Sequence, residues 1–156
     1  MTDYPDKKTD EHYMQIALEE AYAAARAGEV PIGAVLVQGD QVIAVDRNRR
    51  EEYCDGTAHA ELLVMRKAGQ VLGGWRLSRC TLYVTLEPCP MCAGAMVQSR
   101  VGRLVFGASD PKGGAAGTLY DIVRDNRLNH RLEVTGGILK EECASLLQEF
   151  FRIRRD

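Results

Sequence analysis

Apolar positions spaced three and four residues apart predict helices near both ends of the chain. From Asp10 to Ala27 the apolar residues recur at this spacing, and Gly28 followed by Pro31 ends the pattern. The same spacing runs from Leu139 to Arg155. Each helix is therefore expected to pack against the rest of the protein by one face.

Between these helices, short apolar and β-branched runs predict five strands. The runs are Ile32 to Val37, Gln41 to Val45, Thr81 to Leu86, Arg103 to Gly107 and Arg131 to Thr135. The first two are joined by Gly39-Asp40, which predicts a hairpin, although the turn could be longer than two residues.

Further helices are predicted between the strands. One covers His59 to Ala68 with Thr57 as its N-cap, one covers Pro90 to Ser99, and a short one covers Thr118 to Val123. The polar stretch Asp46 to Ala58 is expected to be a loop. Strands that alternate with crossover helices predict a layered α/β domain whose mixed sheet begins with an antiparallel hairpin and continues through parallel pairs.

Composition and charge narrow the class of protein. The chain has 156 residues, 46% hydrophobic and 27% charged, which is typical of one folded domain over residues 1–156. A net charge of -2 means that a nucleic-acid partner would need a local basic patch. The longest uncharged run, Pro88 to Ser99, is too short to span a bilayer, so no membrane role is expected. Five unevenly spaced cysteines and the polar start Met1 to Lys8 predict a reduced, cytoplasmic protein.

His59, Cys89 and Cys92 are candidate ligands for Zn²⁺ at the starts of two predicted helices. Cys89 and Cys92 are three residues apart, which puts both sulfurs on one side of a first helical turn, where thiolates suit zinc. A helix N-terminus also favours their negative charge. Because each helix follows a strand, the two halves of the site are expected to meet at the carboxyl ends of the strands.

Such a site could be structural or catalytic, and the number of ligands distinguishes the two. A structural site normally has four protein ligands. Cys80 lies roughly 20 Å away along its strand, and Cys143 belongs to the C-terminal helix, where a small buried thiol is the simplest interpretation. Cys54 lies in a loop five residues before His59 and stays possible as a fourth ligand. Three ligands with one open position would instead be catalytic.

Glu61 favours the catalytic interpretation. It stands two residues after His59 in the same first turn, where a carboxylate can lie over a metal without binding it. We expect it to shuttle protons from the attacking water to a substrate ring nitrogen and to a departing amine. The alternative is a surface glutamate that compensates the helix dipole.

The pattern His-x-Glu followed by Pro-Cys-x-x-Cys is the signature of zinc-dependent nucleobase deaminases. With it the chain resembles the cytidine-deaminase superfamily and, within it, the bacterial tRNA-specific adenosine deaminases, from about Glu11 to Arg155. The similar stretches are Glu29 to Val35, Asn48, Thr57 to Glu61, Leu82 to Cys89, Met91 to Met96, Val105 to Ala108, Gly114 to Gly117, Asn129 to Arg131 and Phe150 to Arg155.

This resemblance implies a three-layer α/β/α fold with a central mixed five-stranded sheet. It implies a homodimer that hydrolyses adenosine to inosine at the wobble position of the anticodon stem-loop of an arginine tRNA. Asn48 would hydrogen-bond the target base, Ile32 would wall the pocket, and Asp110 would contact the sugar of the target or its neighbour. Phe150 and Arg154 would touch the anticodon loop.

Plain structural explanations compete with these roles. Asn48 and Asp110 suit turns, and Phe150 suits the core. The arginines Arg152, Arg154 and Arg155 suit a solvated helix end, whereas Arg47, Arg49 and Arg50 around Asn48 would add a second basic cluster. Two stretches depart from the family pattern, namely Arg50 to Gly56 and Arg124 to Leu128.

Two other functions stay open from the sequence. The first keeps the chemistry and changes the substrate to a free base or nucleoside of the guanine or cytosine type, which would not need the C-terminal residues Phe150 to Asp156. The second is a non-catalytic, zinc-stabilised module, which would need a closed site that recruits Cys54.

Overall fold

The structure is a computed structural model that describes residues 5–155, without the side chain of Arg155. Ten helices and strands lie in this range. Half of the polar start, residues 1–4, lies outside this range. The elements are α1 (Lys7–Arg26), β1 (Gly33–Gln38), β2 (Gln41–Arg47), α2 (Arg50–Tyr53), α3 (Ala60–Leu72), β3 (Cys80–Leu86), α4 (Pro90–Gln98), β4 (Arg103–Ala108), β5 (Glu133–Gly136) and α5 (Lys140–Arg155).

The five strands form one mixed sheet in the order β2-β1-β3-β4-β5. Strand β1 is antiparallel to both β2 and β3, whereas β3, β4 and β5 are mutually parallel neighbours. Gln38 pairs with Gln41, so the hairpin turn has only the two residues Gly39 and Asp40. The mixed five-stranded sheet is therefore confirmed, and its last strand begins at Glu133 rather than at Arg131.

Helices cover both faces of the sheet, which confirms the three-layer architecture. Alternate residues of the central strands point to opposite faces. Val35, Tyr83 and Val105 pack with residues of α1 and α5. Their neighbours Leu36, Leu82 and Leu104 pack with residues of α3 and α4. Because both faces are covered, the central strands are continuously apolar, as is typical of such layers.

Gly33 lets helix α1 lie directly on the start of β1. A Cβ atom at this position would overlap the backbone oxygen of Ala17 and the backbone nitrogen of Ala21. A side chain here would therefore push α1 away from the sheet.

A buried ion pair ties α1 to the start of β4. Asp10, which is 3% exposed, accepts hydrogen bonds from Arg103 at 2.9 and 2.8 Å and from the Tyr83 hydroxyl at 2.8 Å. Arg103 also donates to Thr135 at 3.0 Å. This network lies at the beginning of the parallel strand β4, away from its carboxyl end.

Two local predictions about helix starts are corrected by hydrogen bonds. Thr57 is not the N-cap of α3, because its hydroxyl donates to Asp55 at 2.7 Å and His59 occupies the cap position. Helix α1 starts before Asp10, because the Asp6 side chain caps it by accepting from the Thr9 backbone at 3.0 Å.

Two predictions about the connecting segments are also wrong. The expected loop from Asp46 to Ala58 contains helix α2. The expected helix from Thr118 to Val123 is instead a series of turns in which Ala116 bridges Asp121. Thr118 is not part of a helix, because both its N–H and its hydroxyl donate to Glu87.

Among the described helices, none combines the length and the apolar composition that crossing a bilayer requires.

Candidate active site

The side chains of His59, Cys89 and Cys92 meet where α3 and α4 begin. His59 is the N-cap of α3 and Cys89 is the N-cap of α4, both with extended backbone, while Cys92 lies in the first turn of α4. The His59 Nδ1 atom lies 3.6 Å from Cys89 Sγ and 3.4 Å from Cys92 Sγ. All three ligand atoms lie within 4.8 Å of one another.

The local helix starts explain this convergence. An N-cap side chain usually accepts a hydrogen bond from the first turn of its helix. Neither His59 nor Cys89 does so, and their side chains face each other instead. Pro90 at the first position of α4 needs no N–H partner there, so the turn forms without a side-chain cap.

The donor set fits a zinc ion. Two thiol sulfurs and one imidazole nitrogen are ligands that Zn²⁺ prefers, and three protein ligands leave one coordination position for a reactant. Among residues 5–155, no other cysteine, histidine or carboxylate joins the group. Cys54 is exposed and its thiol donates to the Glu51 carbonyl at 3.8 Å, while Cys80 and Cys143 are buried in the cores.

Electrostatics within the cluster favour a thiolate. Hydrogen bonds with the Cys92 side chain and with His59 together lower the pKa of Cys89 to about 4, against the effect of burial, which raises it. A deprotonated thiol is the form that binds metals.

Glu61 lies in the first turn of α3 beside this cluster and is only 4% exposed. Burial raises the pKa of Glu61 to about 7, although its backbone hydrogen bond and His59 oppose the rise. A carboxyl group that titrates near neutral pH can both take up and release a proton, which suits a general acid and base.

Asn48 and Ile32 lie together at one end of the β1–β2 hairpin. The Asn48 backbone donates to the Ile32 carbonyl at 3.0 Å, and the Asn48 side chain is 3% exposed. Its Oδ1 atom accepts from the Arg50 backbone at 3.3 Å, which is the turn contact that the structural alternative anticipated. Ile32 is half-buried against the core on the α3 side of the sheet.

A cavity of about 200 Å³ brings Asn48 together with the C-terminal helix. Arg154 stacks on the Phe150 ring at 4.3 Å and donates to the Gly28 carbonyl at 2.9 Å. The lining residues are Gly28, Glu29, Val30, Asn48, Arg50, Glu51, Phe150, Phe151 and Arg154. Neither Ile32 nor Asp110 belongs to this lining.

Asp110 lies in the loop after β4 and shapes a turn there. Its Oδ1 atom accepts from the backbones of Lys112 at 3.0 Å and Gly113 at 3.3 Å. Among the described residues, none donates to its Oδ2 atom, which the turn therefore does not use.

Two buried glutamates that the sequence reasoning missed anchor the segments around the site. Glu87 accepts hydrogen bonds from the loop that carries Asp110. Glu29 accepts from the backbones of Glu51 at 3.0 Å and Glu52 at 2.7 Å, at the start of α2. Each is about 2% exposed. An acidic residue within or directly after an apolar run could indicate such an anchor from the sequence, because a buried carboxylate requires hydrogen-bond donors around it.

The expected basic cluster around Asn48 is largely neutralised. Arg47 pairs with Glu52 at 2.8 Å, and Arg49 pairs with Asp46 at 2.6 Å and with Glu52 at 2.9 Å. Arg50 is exposed and lines the cavity together with Arg154. Positive charge at the cavity therefore comes from one arginine near Asn48 and one on α5.

Comparison with known proteins places this architecture in a family. A family model described as MafB19-like deaminase matches residues 8–155. A tRNA-specific adenosine deaminase of Bacillus subtilis is 56% identical over 143 residues, which are 92% of this chain and 89% of that protein. A tRNA-specific adenosine deaminase of Haemophilus influenzae is 49% identical over 94% of this chain and 86% of its own length.

Solved structures agree with the sequence comparison. A structure from work on A-to-I editing by tRNA:A34 deaminases at the wobble position of transfer RNA is 47% identical, with a TM-score of 0.84 over 87% of this chain and 99% of that one. A guanine deaminase from Nitrosomonas europaea is 28% identical, with a TM-score of 0.79 over 90% of this chain and 83% of that one. The layered fold and the cluster of His59, Cys89 and Cys92 thus occur in a chain whose relatives are deaminases.

Proposed function

The chain belongs to the MafB19-like deaminase family and, within it, to the tRNA-specific adenosine deaminases, and on this premise we propose that it hydrolyses the wobble adenosine of an arginine tRNA to inosine. The observation that carries the proposal is the 56% identity to a tRNA-specific adenosine deaminase over 92% of the chain. The proposal assigns residues 1–156 to one deaminase domain, and it places the enzyme in the cytoplasm, where tRNA is used.

In this proposal His59, Cys89 and Cys92 hold Zn²⁺. The donor set supports this assignment, because the three ligand atoms lie within 4.8 Å of one another and all three suit zinc. When bound in such a site, zinc lowers the pKa of a coordinated water to about 7 and so supplies a nucleophile at neutral pH.

Glu61 is the proton carrier of the proposed reaction. Its carboxylate takes a proton from the attacking water and delivers it to the ring nitrogen of adenine. It then takes the second proton from the hydroxyl formed on the adenine carbon and delivers it to the amine, which leaves as ammonia while that hydroxyl becomes the carbonyl of inosine. The burial of Glu61 supports this role, because a carboxyl group with a pKa of about 7 exchanges protons readily at neutral pH. General acid–base transfer of this kind contributes about 10² to 10⁴ in rate.

The proposed substrate site combines base and backbone recognition. Asn48 hydrogen-bonds the target adenine, Ile32 walls the pocket, and the free Oδ2 of Asp110 contacts the sugar of the target or its neighbour. Phe150 and Arg154 offer an aromatic face and a cation to the anticodon loop, beside Asn48 in the same cavity. Loop bases are unpaired, so extruding the adenosine costs only about a few kcal/mol.

We also propose that two copies associate through α3 and α4. A groove of about 410 Å³ is lined by Leu62, Met65, Arg66, Gly69, Gln70, Gly74, Trp75, Ala95 and Ser99. Trp75 is 55% exposed, and Arg66 is the one charged residue in that lining, which suits an apolar protein surface better than RNA. The substitution Trp75→Glu should therefore yield monomers in sedimentation, whereas a monomeric unsubstituted protein would contradict the dimer.

The guanine deaminase relative defines the competing function. Its fold similarity is high, but its identity of 28% is well below that of the tRNA-specific adenosine deaminases. Zinc-loaded protein should be incubated with arginine tRNA transcript, free guanine and cytidine, and each should be assayed by mass for loss of an amino group. We expect only the tRNA to react. Deamination of guanine with untouched tRNA would establish the competing function instead.

A further inference from the structure

Glu87 is a buried carboxylate that gathers four hydrogen bonds from one loop. It follows β3 directly, stands two residues before Cys89 and is 2% exposed. Its Oε1 atom accepts from the Asp110 backbone at 3.0 Å and from the Thr118 hydroxyl at 2.5 Å. Its Oε2 atom accepts from the backbones of Ala116 at 3.0 Å and Thr118 at 3.1 Å.

Only a carboxylate satisfies this arrangement. Each of the two oxygens faces two donors, and a carboxylate presents acceptors on both sides. A glutamine would turn its NH₂ group toward at least one backbone N–H in either orientation, because only the Thr118 hydroxyl can accept from it. A buried donor that faces another donor loses its hydrogen bond and costs the free energy of its desolvation.

The loop wraps closely around this carboxylate. A Cβ atom on Gly114 would lie about 2.5 Å from the Glu87 carboxyl group, so the loop approaches as only glycine permits. The Ala115 backbone also donates to the Pro88 carbonyl at 2.8 Å. Residues 110–118 are therefore fixed to the two residues that precede Cys89.

We propose that Glu87 is a positioning residue that sets the substrate-facing loop 110–118, and Asp110 above all, relative to the cluster of His59, Cys89 and Cys92. This inference rests on the proposed function, because it assumes that Asp110 faces the RNA. Glu87 itself touches neither the cluster nor the substrate in this proposal. Its effect on the reaction passes through the position of the loop.

Four variants test the proposal. Glu87→Gln leaves at least one backbone N–H of the loop without an acceptor, Thr118→Ala removes one of the four hydrogen bonds, and Thr118→Ser restores the hydroxyl. Asp10→Asn is the matched control, because it weakens another buried carboxylate network at the start of β4. For each variant, the metal content, the Tm, and the kcat and KM for an anticodon stem-loop with wobble adenosine should be measured.

The expected result is a selective loss of substrate binding. Glu87→Gln should raise KM about tenfold with one metal ion per chain retained, since small displacements of substrate-positioning groups cost large factors in rate. Thr118→Ala should raise KM about threefold, and Thr118→Ser should restore it. Asp10→Asn should lower Tm and leave KM unchanged.

Three outcomes would overturn the proposal. In the first, Glu87→Gln lowers Tm like Asp10→Asn but keeps the unsubstituted KM. In the second, it loses metal together with activity, which would assign Glu87 to support of the metal cluster. In the third, Thr118→Ala and Thr118→Ser behave alike; this comparison stands even if Glu87→Gln does not fold.

Amide hydrogen exchange separates this proposal from the proposed function. In Glu87→Gln, the amides of Asp110, Ala116 and Thr118 should exchange faster, while those of α3 keep their protection. If the unsubstituted protein left tRNA unreacted but the loop loosened as expected, the proposed function alone would fail. Unchanged exchange in the loop would reject the positioning role whatever the substrate is.

Discussion

The Nδ1 atom of His59 and the Sγ atom of Cys89 lie 3.6 Å apart, although the two residues are 30 positions apart and cap different helices. Because both helices begin at one edge of the sheet, their first turns bring a nitrogen and two sulfurs to one point. Glu61 follows His59 in the first turn of α3, so the same helix start also supplies the buried carboxylate.

Replacement of Glu61 by glutamine should abolish turnover. The amide keeps the shape of the side chain but cannot carry the proton. The rate of deamination should therefore fall by a factor of about 10² to 10⁴. Metal content and RNA affinity should remain close to those of the unsubstituted protein, because Glu61 lies outside the three-ligand group. Single-turnover deamination, metal analysis and RNA binding check this together. Retained deamination would remove the proposed shuttle.

Thiol alkylation should show whether zinc occupies the cluster of His59, Cys89 and Cys92. Cys54 is exposed and should react at once, whereas Cys80 and Cys143 are buried and should stay unreacted in the folded protein. Burial raises the pKa of Cys143 to about 12, which further suppresses its thiolate. Zinc-loaded protein should therefore react at Cys54 only. A chelator should make the half-buried Cys89 reactive as well, whereas Cys92 is buried and should stay unreacted.

The outcome of that experiment also tests the structural alternative. A fourth-ligand role would protect Cys54 in the zinc-loaded protein and release it with the chelator. Peptide mass analysis assigns each modified cysteine. Protection of Cys54 by zinc would contradict the three-ligand site.

Arg154→Ala should weaken RNA binding more than Arg152→Ala does. Arg154 stacks on Phe150 at the cavity, whereas Arg152 pairs with Glu149 at 2.7 Å on the same helix and is the matched control. Loss of the stacked cation and of its proposed phosphate contact should raise KM about fivefold with kcat nearly unchanged. Steady-state kinetics at two salt concentrations measure this. Equal effects of the two variants would indicate general charge rather than a contact site.

Asp46 should stabilise the fold in a pH-dependent way. Burial alone would raise the pKa of Asp46, but hydrogen bonds from Lys67, the Arg47 backbone and Arg49 lower it overall. A lowered pKa means that the carboxylate stabilises the fold fully above its unfolded pKa of about 4, and that this contribution disappears as pH falls through the folded pKa.

The test compares Tm across pH. Asp46→Asn should lower Tm at neutral pH, and its difference from the unsubstituted protein should shrink below about pH 4. Asp125→Asn is the control, because Asp125 pairs with the highly exposed Arg127 and such surface pairs contribute little. A difference in Tm that stays constant from neutral to acid pH would contradict the role of the Asp46 charge.

The sequence predicts the cluster and the sheet because local spacing determines both. Cys89 and Cys92 share a helical turn, and His59 and Glu61 share another, so the pairs could be expected on helix starts before any tertiary contact was known. The central strands can be predicted from the sequence equally well, because strands buried on both faces are continuous apolar runs.

Contacts between distant segments could not be predicted in this way. Helix α2 carries no apolar periodicity and is held by Glu29, which lies 22 and 23 residues earlier. The segment after Gly117 has helical spacing, but Glu87 takes its first N–H and hydroxyl. The sequence predicts a basic patch at Arg47 and Arg49, because the spacing alone does not show that Glu52 and Asp46 pair with them.

The most direct test of the account is deamination in water labelled with ¹⁸O. Zinc-loaded protein and its Glu61→Gln variant should be incubated with an arginine tRNA transcript, and the nucleosides analysed by mass. We predict one inosine, at the wobble position, carrying the heavy oxygen with the unsubstituted protein and absent with the variant. Unchanged wobble adenosine, or inosine formed equally by the variant, would contradict the claim that this cluster and Glu61 catalyse hydrolysis of tRNA adenosine.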